Sequence, residues 1–388
     1  MNKTYIFAGN WSWMVKEQAT NGIAIYGYET KTGRLAHLKN VFEEFCIGAA
    51  YLNKNQNVLY VTDERADHPG MRQGGGGQIV ALSVDPQNGD LTEINRKPSY
   101  GVNPVSLVTD PEAKYLLVAN HGSRAATVTQ TETDALGKIH IKTMHDESSL
   151  VLFPLGEDGS IGDPCDLFRL CGEGPASFQL GPHAHSIQRS PSGTLYAVCD
   201  KGGDQIYMFK LDEDKKQIVL CAGSPYHRTP GSAPRNSAFH PVLPYLFVNK
   251  EHKTIVSAFR YDEAGRLAPV CTVPALPAQI TPPEGAVQSD ICVGKSGRYL
   301  YTILRQVNVI TVYEIEEKTG RLTMIQVFEH ACDGGRGCAI SPDGRFLVVA
   351  AFSAKEVVTY PLGEDGKISP AVSSATQSGP GTITFFTE

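Results

Sequence analysis

Arg, His and Glu recur in this sequence at fixed distances from a repeated turn. The turn begins at Lys54, Pro111, Pro191, Pro241, Lys295 and Pro342. Six residues before it stand His185, Arg235, Ser289 and Arg336, and ten residues after it stand Glu64, His121, Lys201, Glu251, Arg305 and Phe352. An imidazole titrates near neutrality and can take or give a proton. A guanidinium offers a planar fork of donors to a carboxylate, a phosphate or a developing oxyanion. A carboxylate can orient either group, or activate water itself. Matched positions filled this way point to acid–base and anion-binding chemistry at one place in the fold.

The elements that must position these residues are written as a repeat. Its clearest copy is Ser341-Pro342-Asp343-Gly344-Arg345-Phe346-Leu347-Val348-Val349, in which a strand follows a tight turn. Other copies carry Tyr115-Leu116-Leu117-Val118 and Gly297-Arg298-Tyr299-Leu300. A third strand such as Val309–Tyr313 comes next, and then a second fixed turn with a fourth strand, as in Gln87-Asn88-Gly89-Asp90-Leu91 and Lys318-Thr319-Gly320-Arg321-Leu322. Asn-Gly and Asp-Gly are hairpin signals. Four antiparallel strands in a unit of about 50 residues are the mark of a β-propeller blade.

The expected fold is therefore all-β, a seven-bladed propeller in a single domain spanning residues 1–388. The chain enters at Tyr5-Ile6-Phe7-Ala8, in the place of a second strand, while Thr382–Phe386 has no unit of its own. The C-terminal strand is expected to supply the missing inner strand of blade one and so close the ring. Regular pairing about the turn would set the six-before and ten-after residues at the end of the ring opposite that turn. The extra residues Trp11–Asn21, Arg65–Gly77 and Gly122–Glu147 fall between second and third strands, at the same end. Long connectors over one end of a rigid scaffold mark that mouth as the binding site.

Composition removes other classes. The 35 basic and 41 acidic residues give a net charge of −6 and no global cationic field for nucleic acid or a membrane surface. The N-terminus turns polar before any signal-peptide core, and no apolar run approaches the roughly 18 residues of a membrane span. Nine scattered cysteines without a C-x-x-C pair fit a reduced, cytoplasmic protein. Gly74-Gly75-Gly76-Gly77 lacks the Lys-Ser/Thr of a P-loop and reads as a connector or a movable lid. Asp200-Lys201-Gly202-Gly203-Asp204 reads as a turn rather than a metal loop. Neither a G-x-S-x-G elbow nor an H-E-x-x-H motif is present, and neither a metal nor a cofactor is expected.

Several phrases carry a resemblance across the whole chain: Gly181-Pro182-His183-Ala184-His185, Ala233-Pro234-Arg235 with Phe239-His240-Pro241, Val248 to Glu251, Leu304-Arg305, and the repeated Gly-Arg-Leu and Pro-Asp-Gly turns. They resemble the lactonase family of seven-bladed propellers, which includes bacterial cofactor-independent 6-phosphogluconolactonases and is related to fungal carboxy-muconate cyclases. The resemblance implies a catalytic set of His185, Arg235, Arg305 and Glu251. Lys250 stands between Asn249 and Glu251, where the family commonly has Asn next to Glu, so counting from Pro241 fixes Glu251.

Arg336, His183, His121 and Glu64 are candidate substrate-binding residues at the rim, with capping or packing of the loop the other role for His183. Trp11 and Trp13 could stack on a sugar ring or pack their loop down. The implied activity is hydrolysis of a small anionic sugar lactone, 6-phosphogluconolactone above all, by a monomer. A muconate-type lactonising lyase or a non-catalytic binding platform would suit the same scaffold. Spacing leaves open which group takes the proton.

Overall fold

The computed structural model describes residues 3–11, 22–66, 75–123, 127–227, 229–329 and 333–388. These residues form strands, turns and loops, with no helix among them. Seven antiparallel sheets, each with four strands in series, make the blades of a propeller. From blade two to blade seven the innermost strands are Ile47–Asn53, Pro104–Thr109, Ala184–Arg189, Pro234–Phe239, Gln288–Val293 and Gly335–Ile340. Blade one takes its inner strand from Pro380–Thr387, which pairs antiparallel with Thr4–Asn10. The expected closure is what the fold contains.

Burial follows from position in the blade. Second strands such as Val58–Asp63, Tyr299–Leu304 and Phe346–Ala351 are buried along their whole length. Their alternate side chains face the two neighbouring blades. Tyr5 and Phe7 pack with Ile47, Leu59 and Val80 of blade two, whereas Ile6 and Ala8 pack with Val348, Ala350 and Val357 of blade seven. This explains why Tyr-Leu-Tyr-Val runs carry no polar alternation, since both faces are covered. The apolar core is a set of seams between blades, and each large side chain buried there contributes about 1.5–3 kcal/mol. Outer strands such as Arg34–Val41 alternate toward solvent.

The two repeated phrases meet across the seams. Tyr245 and Tyr301 donate their hydroxyls to Lys318 O and Gly366 O, in the outer hairpin turn of the next blade, at 2.8 and 2.9 Å. Tyr5 and Tyr60 do the same to Gln87 O and Gly159 O, both at 2.9 Å. The aromatic ring lies against the turn glycine itself. A Cβ on Gly366, whose φ is +76°, would stand 2.2 Å from Tyr299 Cγ. The Gly-Arg-Leu turn and the aromatic strand are thus one interlocking device.

One expectation needs correction. In blades three and seven the fourth strand does not follow its turn directly. Ile161 and Ile368 form only single bridges, and the strands proper are Asp166–Arg169 and Ser373–Thr376. The insertion of blade three also contains a hairpin of its own, residues 127–133 paired with 139–145, outside the blade sheet.

Candidate active site

Every inner strand breaks register once against its neighbour, always near the mouth. The breaks fall at Gly48–Ala49, Val105, His185, Arg235–Asn236, Ser289–Asp290, Arg336 and Gly381. A bulge opposes two residues to one and re-aims a side chain out of the ladder. Gly48, Val105, His185, Arg235, Arg336 and Gly381 accordingly line one cavity of about 210 Å³ on the channel. Ser289 turns aside and donates to Gly335 O at 2.6 Å.

The bulge also overturns the regular pairing expected from counting. In blades two to seven the ten-after residue donates its N–H to the carbonyl eight residues before the turn, at 2.7–3.2 Å. The two sets are therefore separate tiers. The six-before residues sit on the channel wall, and the ten-after residues sit at the strand ends nearer the mouth.

Glu251 centres the second tier. Its Oε1 accepts from Arg305 Nη2 at 2.9 Å and lies 3.6 Å from Arg235 Nε. Lys201 Nζ pairs with its Oε2, and His252 Nε2 is 4.0 Å away. Burial alone would raise this carboxyl, but Lys201, Arg235 and Arg305 outweigh it and hold the group well below the ordinary carboxylate range. Glu251 is an ionised anchor for three cations from blades four, five and six. Of the roles open to it from sequence, this geometry suits orientation and charge assistance. Lys201 belonged to the counted register, but nothing in the sequence marked it as the partner of Glu251.

Arg235 is buried, and its Nη1 donates to Ser289 O. Desolvation, with Arg305 and Arg336 nearby, brings its pKa down to about 9 against the opposing pull of Glu251, so it stays a cation at neutral pH. Arg336, at the same counted position as His185 and Arg235, stands with them on the cavity wall. Its guanidinium carbon lies 3.4 Å from the centroid of the Trp11 ring, a cation–π contact. Trp11 in turn meets Phe352 edge-on at 5.7 Å. Trp11 thus packs beneath an arginine, and Trp13 and Gly74 lie outside the described residues. Glu64 lines the cavity beside Gly48, where a Cβ would come within 2.2 Å of its Oε2.

His185 lines the same wall, with Nδ1 3.0 Å from Asn236 Oδ1. Burial first, then Arg235, Lys201, His121 and Arg336, push its pKa well below 6.5, so the imidazole is neutral at physiological pH. His121 and His183 do not line the cavity. Their rings stack 4.5 Å apart, and His121 meets His185 edge-on at 6.0 Å. Nδ1 of His183 is 3.1 Å from His121 O, and its backbone N–H donates to Asp200 Oδ1 at 2.6 Å. They pack against each other, with His121 edge-on to His185. Asp200 Oδ1 also accepts from Gly202 and Gly203 N–H, which braces the turn as expected.

Asn236 and Asp290 complete the wall and were missed by counting. They stand five residues before Pro241 and Lys295, in the second place of the bulge, where other blades have Ala49, Ser106, Ser186 and Gly337. A search of two adjacent positions per inner strand would have found them. Gly76 and Gly77 are tied to Ala66 O and Gly101 O at 2.9 and 3.1 Å, as connector residues. Among the described residues, the acidic group Asp110, Glu112 and Glu213 is the one able to share a cation, and it sits at the turn end of the ring, away from the cavity.

The wall thus offers a neutral imidazole, two guanidinium groups and hydrogen-bonding side chains around a space for a small anion. Comparison with known proteins agrees with this architecture. A 6-phosphogluconolactonase of Bacillus subtilis is 28% identical over 86% of this chain and 85% of its own. Another from Formosa agariphila is 26% identical over 94% and 96%. The periplasmic gluconolactonase of Pseudomonas aeruginosa shares the fold, with a TM-score of 0.80 at 20% identity over 99% of both chains. The family described as lactonase, 7-bladed β-propeller, matches residues 13–385, so this chain belongs to that family.

Proposed function

We propose that the protein hydrolyses the cyclic ester of a sugar acid at the channel mouth, with 6-phosphogluconolactone as substrate. The observation that carries this reading is the convergence of His185, Arg235 and Arg336 on the wall of one cavity. The names of the relatives support the same substrate class.

In this mechanism a water oxygen adds to the lactone carbonyl carbon while His185 Nε2 takes its proton. Arg235 and Arg336 stabilise the resulting oxyanion or hold the anionic end of the substrate. Collapse of the tetrahedral intermediate breaks the ring C–O bond, and the proton returns to the departing ring oxygen. Glu251 holds Arg305 and Arg235 in place from the tier above. A monomer in the cytoplasm belongs to the same proposal, and the eight described cysteines, none of them in a disulfide, suit that compartment.

The test is the rate of proton release from freshly prepared 6-phosphoglucono-δ-lactone, compared with glucono-δ-lactone. Acceleration above spontaneous hydrolysis is expected for the phosphorylated compound. No acceleration of either at micromolar protein would overturn the reading. Acceleration of the unphosphorylated lactone alone would overturn the phosphate assignment.

A further inference from the structure

We infer that Asn236 and Asp290 are positioning residues that fix His185 as the tautomer with its proton on Nδ1, which leaves the Nε2 lone pair free as the base. The inference rests on the reading of His185 as the proton acceptor. It is carried by a chain of hydrogen bonds that crosses four blades at or beside their bulges.

The chain is read from its anionic end. Asp290 Oδ2 accepts from Cys338 N–H of blade seven at 2.8 Å, and Oδ1 accepts from Ile291 N–H at 2.9 Å. Oδ1 also accepts from Asn236 Nδ2 of blade five at 2.7 Å. A carboxylate with these donors can only accept, so the amide must turn its NH₂ toward Asp290. Its carbonyl oxygen then faces blade four, where it lies 3.0 Å from His185 Nδ1. An amide oxygen also only accepts, so the imidazole must present N–H at Nδ1. A flipped amide would set two acceptors face to face at Asp290. The Asn236 backbone is held as well, since its N–H donates to Asn249 Oδ1 at 2.9 Å.

The interposed amide has a chemical consequence. A carboxylate in direct contact would raise the basicity of the ring. Here the amide transmits orientation, while the charged neighbours of His185 are the cations Arg235, Lys201 and Arg336, with His121 beside them. The site obtains a defined lone pair on an imidazole that stays neutral.

The relay is tested by nitrogen NMR of the full-length protein labelled with ¹⁵N-histidine and free of substrate, the His185 signals being assigned with His185→Gln. The wild type should show a protonated Nδ1 and an unprotonated Nε2. Asp290→Asn should release the amide, mix the tautomers and lower kcat by a hundredfold or more with little change in KM, as expected for a mis-set base. The exchange Asn236→Asp with Asp290→Asn restores an acceptor at Nδ1, held by the new amide. It should recover the Nδ1–H signal and move the acid limb of kcat/KM up by about one pH unit, because a carboxylate now touches the ring.

A wild-type Nε2–H tautomer would overturn the relay, as would an Asp290→Asn protein with unchanged signals and kcat. If Asp290→Asn fails to fold, the wild-type spectrum and the double exchange decide the matter. The spectra need no turnover, so a fixed Nδ1–H tautomer in a protein without lactonase activity would count against the proposed function alone.

Discussion

A carboxylate that touches Lys201, Arg235 and Arg305 at once has little freedom to act as a base. Removing its charge should expose the buried Lys201 and Arg235 and the half-buried Arg305 to one another. Glu251→Gln is expected to cost about 3–5 kcal/mol of stability, as for other broken buried pairs, and to lower kcat/KM more than tenfold as Arg235 and Arg305 lose their anchor. The urea midpoint and steady-state kinetics check both. The pH dependence follows from the same residues. Glu251 stabilises the fold fully above its unfolded pKa of about 4.3, and that contribution is lost only as pH falls through its lower folded value. His185 acts in the same sense from a higher pH: below about pH 6.5 the unfolded chain takes up a proton that the folded site resists, so acid favours unfolding. In catalysis the depressed imidazole should keep kcat/KM level down through pH 6.5, with the acid limb well below it. A profile corrected for spontaneous hydrolysis that bends at 6.5 or above would contradict this.

The bulge and the turn glycine are the elements that convert a repeat into a site. Turn glycines were legible in the sequence, because a positive φ leaves a residue signature at a fixed place. The bulges were not. A bulge is an extra residue in one strand, and counting from the turn passes over it without any change in residue type. For this reason His185, Arg235 and Arg336 were found on the right wall, while their expected pairing with Lys201, Glu251 and Phe352 was not observed. Asn236 and Asp290 escaped for a related cause. Neither side chain is unusual beside its own strand, and their meaning arises only where blades four, five and six come together. The turns make a separate prediction. Gly366→Ala should destabilise the seam between blades six and seven by about 1–3 kcal/mol, because its φ is strained for a side chain and the Cβ meets Tyr299. The site lies at the other end of the ring, so kcat and KM should not change. A lowered melting temperature with intact kinetics is the expected result.

At the scale of the molecule, a chain of net charge −6 turns Arg235 and Arg336 toward one channel. The ring that holds them depends on Pro380–Thr387, which supplies both the inner edge of blade one and the cavity residues Gly381, Thr382 and Ile383. Deleting residues 380–388 should leave Thr4–Asn10 unpaired on one side, abolish cooperative unfolding and promote aggregation. Circular dichroism melts and gel filtration would reveal it, and a truncated chain that melts like the full-length protein would contradict the role given to this strand. The same arrangement governs how the protein is made. Pro380–Thr387 leaves the ribosome after every other strand, so the nascent chain spends most of its synthesis with three strands of blade one and a vacant slot. Any copy of that segment fits the slot equally well. Crowded refolding should therefore yield domain-swapped dimers in which two chains exchange their final strands, while slow, dilute refolding returns each strand to its own ring.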